Sequence, residues 1–333
     1  MSYIYQLGER RVIDIIMHHL DTMPEMVIPF WDDVSAYNLG EGEIAILKSD
    51  MLVWSTDIPP GMTHYQAARK AVVMNISDLA AKGVKPLAIL ASLGLPKNML
   101  ESEVVEIAKG MNKGAREYGA YLIGGDTNET GDIIICGMAF GLAKKGKILR
   151  RDGARPGDIL ATTGTFGKTA IGLQFLLKDL VIPVDIQKVI LNAVYLPQAR
   201  LKEGLALRDS GAVTSSTDSS DGLALSLHDL SRSSKVGFIV DYLPSALEAH
   251  RIAELHTLEL SDLVLYGGEE YELIFTVKPG MVEDAKKALS KVGGELIEIG
   301  KVTKDKEILF QVKDKIKSII PGGWEHFKDS VPV

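Results

Sequence analysis

The architecture follows most directly from one stretch of the sequence, Thr63-His-Tyr-Gln-Ala-Ala-Arg-Lys-Ala-Val-Val-Met-Asn-Ile-Ser-Asp-Leu-Ala-Ala81. Thr63 is a typical N-cap, and apolar residues follow it at helical spacing. Gly83 and Pro86 predict the end of the helix. Asp78 interrupts a helix otherwise lined by alanine, valine and methionine. A carboxylate in such a position is costly to bury, so Asp78 is a candidate functional residue.

Helices and strands alternate on both sides of this stretch. Upstream, 7–18 has helical spacing, and the apolar runs at 43–47 and 51–54 predict strand segments. Downstream, the predicted strands lie at 87–95, 120–123, 133–143, 159–162, 213–217, 237–240 and 272–277, and the predicted helices at 101–118, 169–177, 186–195, 222–230 and 282–292. This alternation is typical of an α/β or α+β chain. The turn-rich segment 151–158 predicts a boundary between a domain at 1–150 and a domain at 151–333.

The composition is that of an ordinary globular protein. The chain has 333 residues, with 46% hydrophobic and 24% charged residues, a length that suggests about two domains. Its formal net charge of −7 argues against a nucleic-acid binder. A single cysteine, Cys136, favours a reducing compartment, and its apolar surroundings predict a buried strand position. No stretch resembles a signal peptide or a membrane-spanning helix, so we expect a cytoplasmic protein without a membrane partner.

Aspartates recur at the ends of apolar runs or in turns of small residues. Asp50, Asp126 and Asp218 follow such runs, and Asp221 lies three residues beyond Asp218. Oxygen-rich sites of this kind suit Mg²⁺, which binds carboxylates together with water and substrate phosphates. Each aspartate could instead be a turn residue, and Ser220 could cap the helix that begins near 222. If several carboxylates converge, their repulsion requires bound cations or protons.

Familiar nucleotide and zinc motifs are missing from the sequence. Gly167-Lys168-Thr169 resembles the end of a Walker loop, but Thr162 stands where the first glycine is needed. No glycine-rich dinucleotide fingerprint follows a strand. The seven histidines lack a zinc-binding spacing.

Five short motifs, in this order, resemble those of the thiamine-monophosphate kinase family, in the aminoimidazole-ribonucleotide-synthetase-like superfamily. The resemblance covers nearly the whole chain, from Asp32 to Phe327. The motifs are Asn75-Ile-Ser-Asp-Leu-Ala-Ala81, Gly124-Gly-Asp-Thr127, Arg155-Pro-Gly-Asp158, Asp218-Ser-Ser-Asp-Gly-Leu223 and Gly267-Gly-Glu-Glu-Tyr-Glu-Leu273. The resemblance implies a two-domain fold. Its N-terminal domain contributes to a homodimer interface, and its C-terminal α/β domain completes the ATP and thiamine sites.

The resemblance also implies an activity, the Mg²⁺-assisted transfer of the ATP γ-phosphate to thiamine monophosphate. Asp78, Asp126 and Asp218 are the catalytic candidates. Implied metal positions are Asp33, Lys48 (through its backbone oxygen), Ser49, Asp50, Asp78, Asp126, Asp218 and Asp221. Implied ATP contacts are Gly125, Asp126, Arg151 and Ser220, although Arg151 could equally be a solvated turn residue. Implied substrate contacts are Asp57, Glu269 and Trp324.

Two positions depart from the family pattern. Trp31 precedes Asp32-Asp33 where the family usually has glycine, and Asp57 stands where the family has a substrate-contacting histidine. Two alternatives remain open at this stage. One is another ATP-dependent enzyme of the superfamily, and the other is a non-enzymatic sensor that binds nucleotide and Mg²⁺. For Trp324, the alternative to a substrate contact is an anchor of the C-terminal segment to the core.

Overall fold

The computed structural model describes residues 3–313 and 315–327 and contains two mixed β-sheets flanked by helices. The strands are β1 (Ser35–Gly40), β2 (Glu43–Val53), β3 (Pro86–Leu95), β4 (Tyr121–Glu129), β5 (Ile134–Lys144), β6 (Ile159–Thr162), β7 (Val213–Asp218), β8 (Gly237–Val240), β9 (Leu273–Val277), β10 (Ile297–Thr303), β11 (Ile308–Val312) and β12 (Lys315–Ser318). The helices are α1 (Ile4–Leu7), α2 (Glu9–Met17), α3 (Trp54–Asp57), α4 (His64–Ala81), α5 (Glu101–Glu117), α6 (Lys168–Leu177), α7 (Val184–Tyr195), α8 (Leu201–Ser210), α9 (Leu223–Ser234), α10 (Leu247–His256), α11 (Leu260–Leu265) and α12 (Val282–Ser290). The predicted α/β class is confirmed.

The first sheet has the strand order β1-β2-β5-β3-β4 and is antiparallel except for the β3–β4 pair. One of its faces packs against α4 and α5. Alternate residues such as Ile44, Ile46 and Leu52 are fully buried on that face. The second sheet has the order β12-β11-β8-β10-β6-β9-β7, with β8 and β11 parallel. Its core forms beneath α9, α11 and α12.

Helix α4 begins where the sequence predicts. The Thr63 hydroxyl accepts the backbone N–H of Gln66 at 3.3 Å, and the Gln66 side chain accepts the N–H of Thr63 at 2.9 Å. The helix is buried on nearly every side because it lies between the two sheets, packing on α5, α8 and β7. A Cβ at Gly204 of α8 would lie 1.9 Å from the Ala80 carbonyl oxygen, so glycine permits the close approach of α8. Helix α4 therefore joins the two halves of the chain.

One predicted local environment is wrong, that of Cys136, which lies on β5 but is only half-buried because it points to the outer face of the first sheet. Asp50 lies inside β2, which runs without a break through 43–47 and 51–54, and Asp126 lies inside β4, which continues past the strand predicted at 120–123. Helices α3, α8, α10 and α11 and strands β1 and β10 to β12 were not predicted. In the part of the chain that the structure describes, no helix is long and apolar enough to cross a membrane.

Candidate active site

Three carboxylates from distant parts of the chain converge where the two sheets meet α4. Asp33 precedes β1, Asp78 lies on the last turn of α4, and Asp218 ends β7. One oxygen of each lies within 4.8 Å of the others, and all three residues are buried. Sequence alone could not establish this convergence, because it depends on how α4 packs between the sheets.

Cations from neighbouring elements offset the negative charge of this acidic cluster. Lys48 of β2 places its Nζ 3.0 Å from a carboxylate oxygen of Asp50 and 3.2 Å from one of Asp78. The alternation of β2 explains this, since Lys48 and Asp50 share the face that packs on α4. The predicted repulsion is thus partly relieved by the protein's own ammonium group, which contacts the carboxylates where only a backbone oxygen of Lys48 had been expected.

Two other cations, Lys82 and Arg151, pair with Asp33. The Nζ of Lys82, which is fully buried, lies 2.6 Å from Asp32 and 2.5 Å from Asp33. The Arg151 guanidinium pairs with Asp33 and lies 3.2 Å from the Thr217 hydroxyl, to which it donates. These partners hold the Asp33 side chain in one orientation at the edge of the cluster.

Burial and mutual repulsion shift the acidity of the cluster. Burial raises the pKa of Asp78 well above its usual range, although a nearby ammonium opposes the shift. Burial and the Asp33 carboxylate raise the pKa of Asp218 to about 6. For Asp33, burial acts in the same direction, but Arg151 and Lys82 outweigh it and lower the pKa to about 2. Burial thus favours the protonated forms of Asp78 and Asp218, and a bound cation would favour their ionised forms.

The donor set fits a magnesium site. Hard divalent cations prefer carboxylate oxygens, and three buried carboxylates within 4.8 Å supply them. The raised pKa values of Asp78 and Asp218 show that their negative charge is not fully compensated by the surrounding protein. Asp221 stands apart from this group, and burial together with the neighbouring Glu9 raises its pKa to about 7.

Two adjoining cavities lie near the acidic cluster, which borders the larger of them. The larger, of about 840 Å³, is lined by Asp78, Asp218 and residues of α2. The smaller, of about 300 Å³, is lined by Lys70, Glu269 and apolar side chains of α6. Side chains that line both include Met51, Asp57, Ser220, Asp221, Tyr271 and Trp324. Two substrates could therefore bind on either side of the shared wall.

The smaller cavity contains an aromatic face and a carboxylate. Trp324 is 42% exposed and lies edge-on to His326, with ring centroids 5.8 Å apart. This exposure favours a substrate contact over the alternative in which Trp324 anchors the C-terminal segment to the core. Glu269 lines the same cavity and pairs with the ammonium of Lys70.

Comparisons with known proteins show which family the chain resembles. The AIR synthase related protein models match residues 31–143 (N-terminal domain) and 155–313 (C-terminal domain). The chain is 39% identical to the thiamine-monophosphate kinase of Pyrococcus horikoshii, over 85% of this chain and 86% of that protein. It is 37% identical to the thiamine-monophosphate kinase of Nitrosopumilus maritimus, over 97% of this chain and 99% of that protein.

The chain belongs to the thiamine-monophosphate kinase family.

A solved structure of the same fold is AaThiL complexed with AMPPCP and TMP. It superimposes with a TM-score of 0.84 at 26% sequence identity, and the match covers 98% of this chain and 99% of that chain. The two-domain architecture implied by the sequence motifs is therefore that of this family.

Several positions implied by the family motifs lie away from the acidic cluster. Asp126 is exposed on β4, an edge strand, and pairs in register with Ser92 of β3. Strands β3 and β5 lie between β4 and β2, so Asp126 is three strand spacings, or about 14 Å, from β2. Gly125 approaches β3 so closely that a Cβ would lie 1.7 Å from the Ala91 carbonyl oxygen. The Ser49 hydroxyl donates to the Gly137 carbonyl at 3.0 Å, on the opposite face of β2 from Asp50.

Two further positions have structural roles that the motifs do not indicate. Both Asp57 carboxylate oxygens are engaged within its own turn, accepting the Val53 N–H at 2.7 Å and the Thr56 hydroxyl at 2.9 Å. Ser220 does not cap α9, whose N-cap is Gly222 without a side-chain cap. Instead, the Ser220 carbonyl accepts the N–H of Glu269 at 2.6 Å.

The family's glycine position has a conformational explanation in this member. Trp31 adopts φ +72°, in the left-handed region that glycine occupies without steric cost. The Arg232 guanidinium lies over the Trp31 ring, 3.8 Å from its centroid, and Arg151 donates to the Trp31 carbonyl at 3.2 Å. These contacts stabilise tryptophan in a conformation that would otherwise favour glycine.

Three charged residues of the site were not identified from the sequence. Lys70 and Lys82 appear in the sequence only as polar interruptions of α4 and its end. Asp229 of α9 is buried and pairs with Arg10, 2.7 Å away, and with Arg151, 3.5 Å away. A lysine within an apolar helix indicates a functional site only when its buried partner is known.

Proposed function

We propose that this protein transfers the γ-phosphoryl group of ATP to thiamine monophosphate, yielding thiamine diphosphate and ADP. The observation that carries the proposal is the buried acidic cluster beside the larger of two adjoining cavities. The membership in the thiamine-monophosphate kinase family supports the same reaction. So does the similarity to a structure complexed with AMPPCP and TMP.

The reaction needs positioning and charge neutralisation more than proton transfer. A phosphate oxygen of thiamine monophosphate forms a bond to the γ-phosphorus, while the bond from that phosphorus to the β–γ bridging oxygen breaks. The acceptor oxygen is already ionised near neutral pH, so no general base is required. In the proposal, Trp324 and Glu269 hold the thiamine end in the smaller cavity, and the larger cavity holds ATP.

The acidic cluster supplies the remaining requirement. We propose that Asp33, Asp78 and Asp218 hold Mg²⁺, with Asp50 and Asp221 as further ligands at its margins. Bound there, Mg²⁺ would neutralise phosphate charge and help to orient the reacting oxygens. Arg151 and Lys82 keep Asp33 in its orientation. The proposal also includes the further metal ligands implied by the family motifs, which are Ser49, Asp126 and the backbone oxygen of Lys48. It includes the implied ATP contacts, which are Gly125, Asp126, Arg151 and Ser220.

The deciding experiment incubates the protein with ATP, Mg²⁺ and thiamine monophosphate and follows thiamine diphosphate by chromatography. The matched variant is Asp78→Asn, which keeps the size of the side chain and removes its charge. We expect product from the wild type and none from the folded variant. Near-wild-type turnover in Asp78→Asn would remove Asp78 from the catalytic set. ATP bound without turnover would indicate a sensor, and ATP consumed with another acceptor would indicate a different enzyme of the superfamily.

We also propose a homodimer formed through the outer face of the first sheet. Alternation along the strands places a contiguous set of apolar side chains on that face, all more than a third exposed. They include Tyr37, Leu39, Leu90, Ile123, Met138 and Leu142. Sedimentation analysis should find a dimer that Ile123→Glu converts to a monomer. The control is Leu247→Glu, on exposed α10, which should leave the mass unchanged.

The proposed partners are the two substrates, with no nucleic acid and no membrane. The net charge of −7 supports the absence of a nucleic-acid partner. The cytoplasm is the proposed compartment, on the ground of the single cysteine Cys136.

A further inference from the structure

Lys70 is a buried cation whose contacts all lie at the smaller cavity. Its side chain is 1% exposed, in the middle of α4. The Nζ donates to the Asp57 carbonyl at 3.1 Å and forms a short ion pair with Oε1 of Glu269. Burying an ammonium group is costly unless it is paired and hydrogen-bonded, so these two partners determine where Lys70 can lie. Both partners line the same cavity.

Glu269 belongs to a loop that needs such support. Its φ is +65°, and that of Tyr271, two residues later, is +54°. Residues other than glycine rarely adopt this left-handed region, and they persist there only when surrounding contacts impose it. One contact is the hydrogen bond from the Glu269 N–H to the Ser220 carbonyl. The other is the ion pair with Lys70.

The two oxygens of the Glu269 carboxylate differ in their hydrogen-bond partners. Oε1 is engaged by Lys70, whereas Oε2 has no hydrogen-bond partner among the described residues. A buried carboxylate oxygen without a donor is unfavourable, and a polar or cationic group of a ligand would satisfy it. Trp324 lines the same cavity and offers an aromatic face to such a ligand.

We propose that Lys70 is a positioning residue for substrate recognition. By holding Oε1, it fixes the Glu269 carboxylate in the cavity wall and leaves the second oxygen to accept from the amino group of the aminopyrimidine ring of thiamine monophosphate. Through the Asp57 carbonyl it also ties the α3 turn to the same wall. This inference rests on the proposed function, since it concerns how the proposed substrate is recognised.

The neighbouring residue Arg69 provides a matched control. It is also buried on α4 and also links the two halves, donating to the Pro197 carbonyl at 2.7 Å and to Glu117 at 2.9 Å. Arg69 lines neither cavity. A purely structural contribution of a buried cation on α4 should therefore appear equally in Arg69→Met and Lys70→Met.

The test compares steady-state kinetics for both substrates, with melting temperatures measured in parallel. Lys70→Met keeps an unbranched side chain but removes the charge, and we expect the KM for thiamine monophosphate to rise about tenfold. The KM for ATP and kcat should change by less than about twofold. Lys70→Arg, which can still pair with Glu269, should recover most of the affinity. Arg69→Met should lower the melting temperature and leave both KM values unchanged.

A double-mutant cycle shows whether Lys70 acts through Glu269. In the Glu269→Gln background, Lys70→Met should raise the KM for thiamine monophosphate by less than about twofold. An active wild type with an unchanged KM in Lys70→Met, or additive effects in the double variant, would overturn this inference alone. A wild type that makes no thiamine diphosphate would overturn the proposed function. If Lys70→Met does not fold, Lys70→Gln replaces it in the same cycle.

Discussion

At the residue scale, Trp31 shows how side-chain contacts can offset an unfavourable backbone conformation. Its φ of +72° should lower the stability of the folded state by about 1 kcal/mol relative to glycine, whereas its stacking with Arg232 should raise that stability by about 0.5–2 kcal/mol. Trp31→Ala removes the stacking and keeps the strain, whereas Trp31→Gly removes both.

We therefore expect Trp31→Ala to be the less stable of the two variants, by about 1 kcal/mol in denaturant unfolding. Because both variants lack the ring, their difference reports the backbone alone. Equal stabilities would show that the left-handed conformation at this position carries no strain.

Trp324 gives a second prediction at this scale, since its exposed ring lines the cavity instead of packing in the core. Stacking with a cation contributes about 0.5–2 kcal/mol, so Trp324→Ala should raise the KM for thiamine monophosphate roughly three- to thirtyfold. The KM for ATP and the melting temperature should change little. A lower melting temperature with an unchanged KM would assign the ring to packing.

At the scale of an element, the N-terminus of α6 depends on a carboxylate from a distant loop. The N-cap Gly167 has no side chain, and Glu270 accepts its N–H at 2.6 Å and that of Thr169 at 3.2 Å. Burial raises the pKa of Glu270 to about 7, although the Thr169 N–H opposes the shift. The contribution of Glu270 is therefore present below pH 4.5 and is lost as the pH rises towards 7, because the folded state retains the proton more strongly.

Glu270→Gln should remove this pH dependence, since a glutamine amide oxygen can still accept both N–H groups. The stability of the variant relative to the wild type should increase by about 2 kcal/mol between pH 5 and pH 7.5. Thermal unfolding at several pH values provides the measurement. Parallel curves for the two proteins would show that Glu270 does not titrate in this range.

At the scale of the whole molecule, the acidic cluster links metal binding to stability. The folded-state pKa of Asp218 is raised to about 6, so the metal-free protein loses stability as the pH rises from about 4 through 6. Mg²⁺ binds the ionised carboxylates and competes with their protons. The increase in melting temperature caused by Mg²⁺ should therefore be larger at pH 7.5 than at pH 5.5.

The control for this prediction is NaCl at the same ionic strength, which screens charges without specific binding. Asp218→Asn should abolish most of the Mg²⁺ effect at both pH values. A Mg²⁺ effect that is independent of pH, or is reproduced by NaCl, would place the metal outside the cluster.

Features that depend on neighbouring residues could be predicted from the amino-acid sequence alone. The Thr63 cap and the end of α4 near Gly83 are local properties, because capping hydrogen bonds and backbone preferences act over a few positions. The ordered motifs also identified the family. Their assigned roles depend on long-range packing, which places Asp33, Asp78 and Asp218 together and leaves Asp126 on an edge strand.

Which charged residues have buried partners depends instead on long-range packing. Lys70 and Lys82 look alike in the sequence as lysines of an apolar helix and its end. One pairs with Glu269 in the wall of the smaller cavity, and the other pairs with Asp32 and Asp33 behind the acidic cluster. The two lysines have different partners because α4 is enclosed on nearly every side. Each buried ammonium group is therefore paired with a carboxylate of the distant element that packs against it.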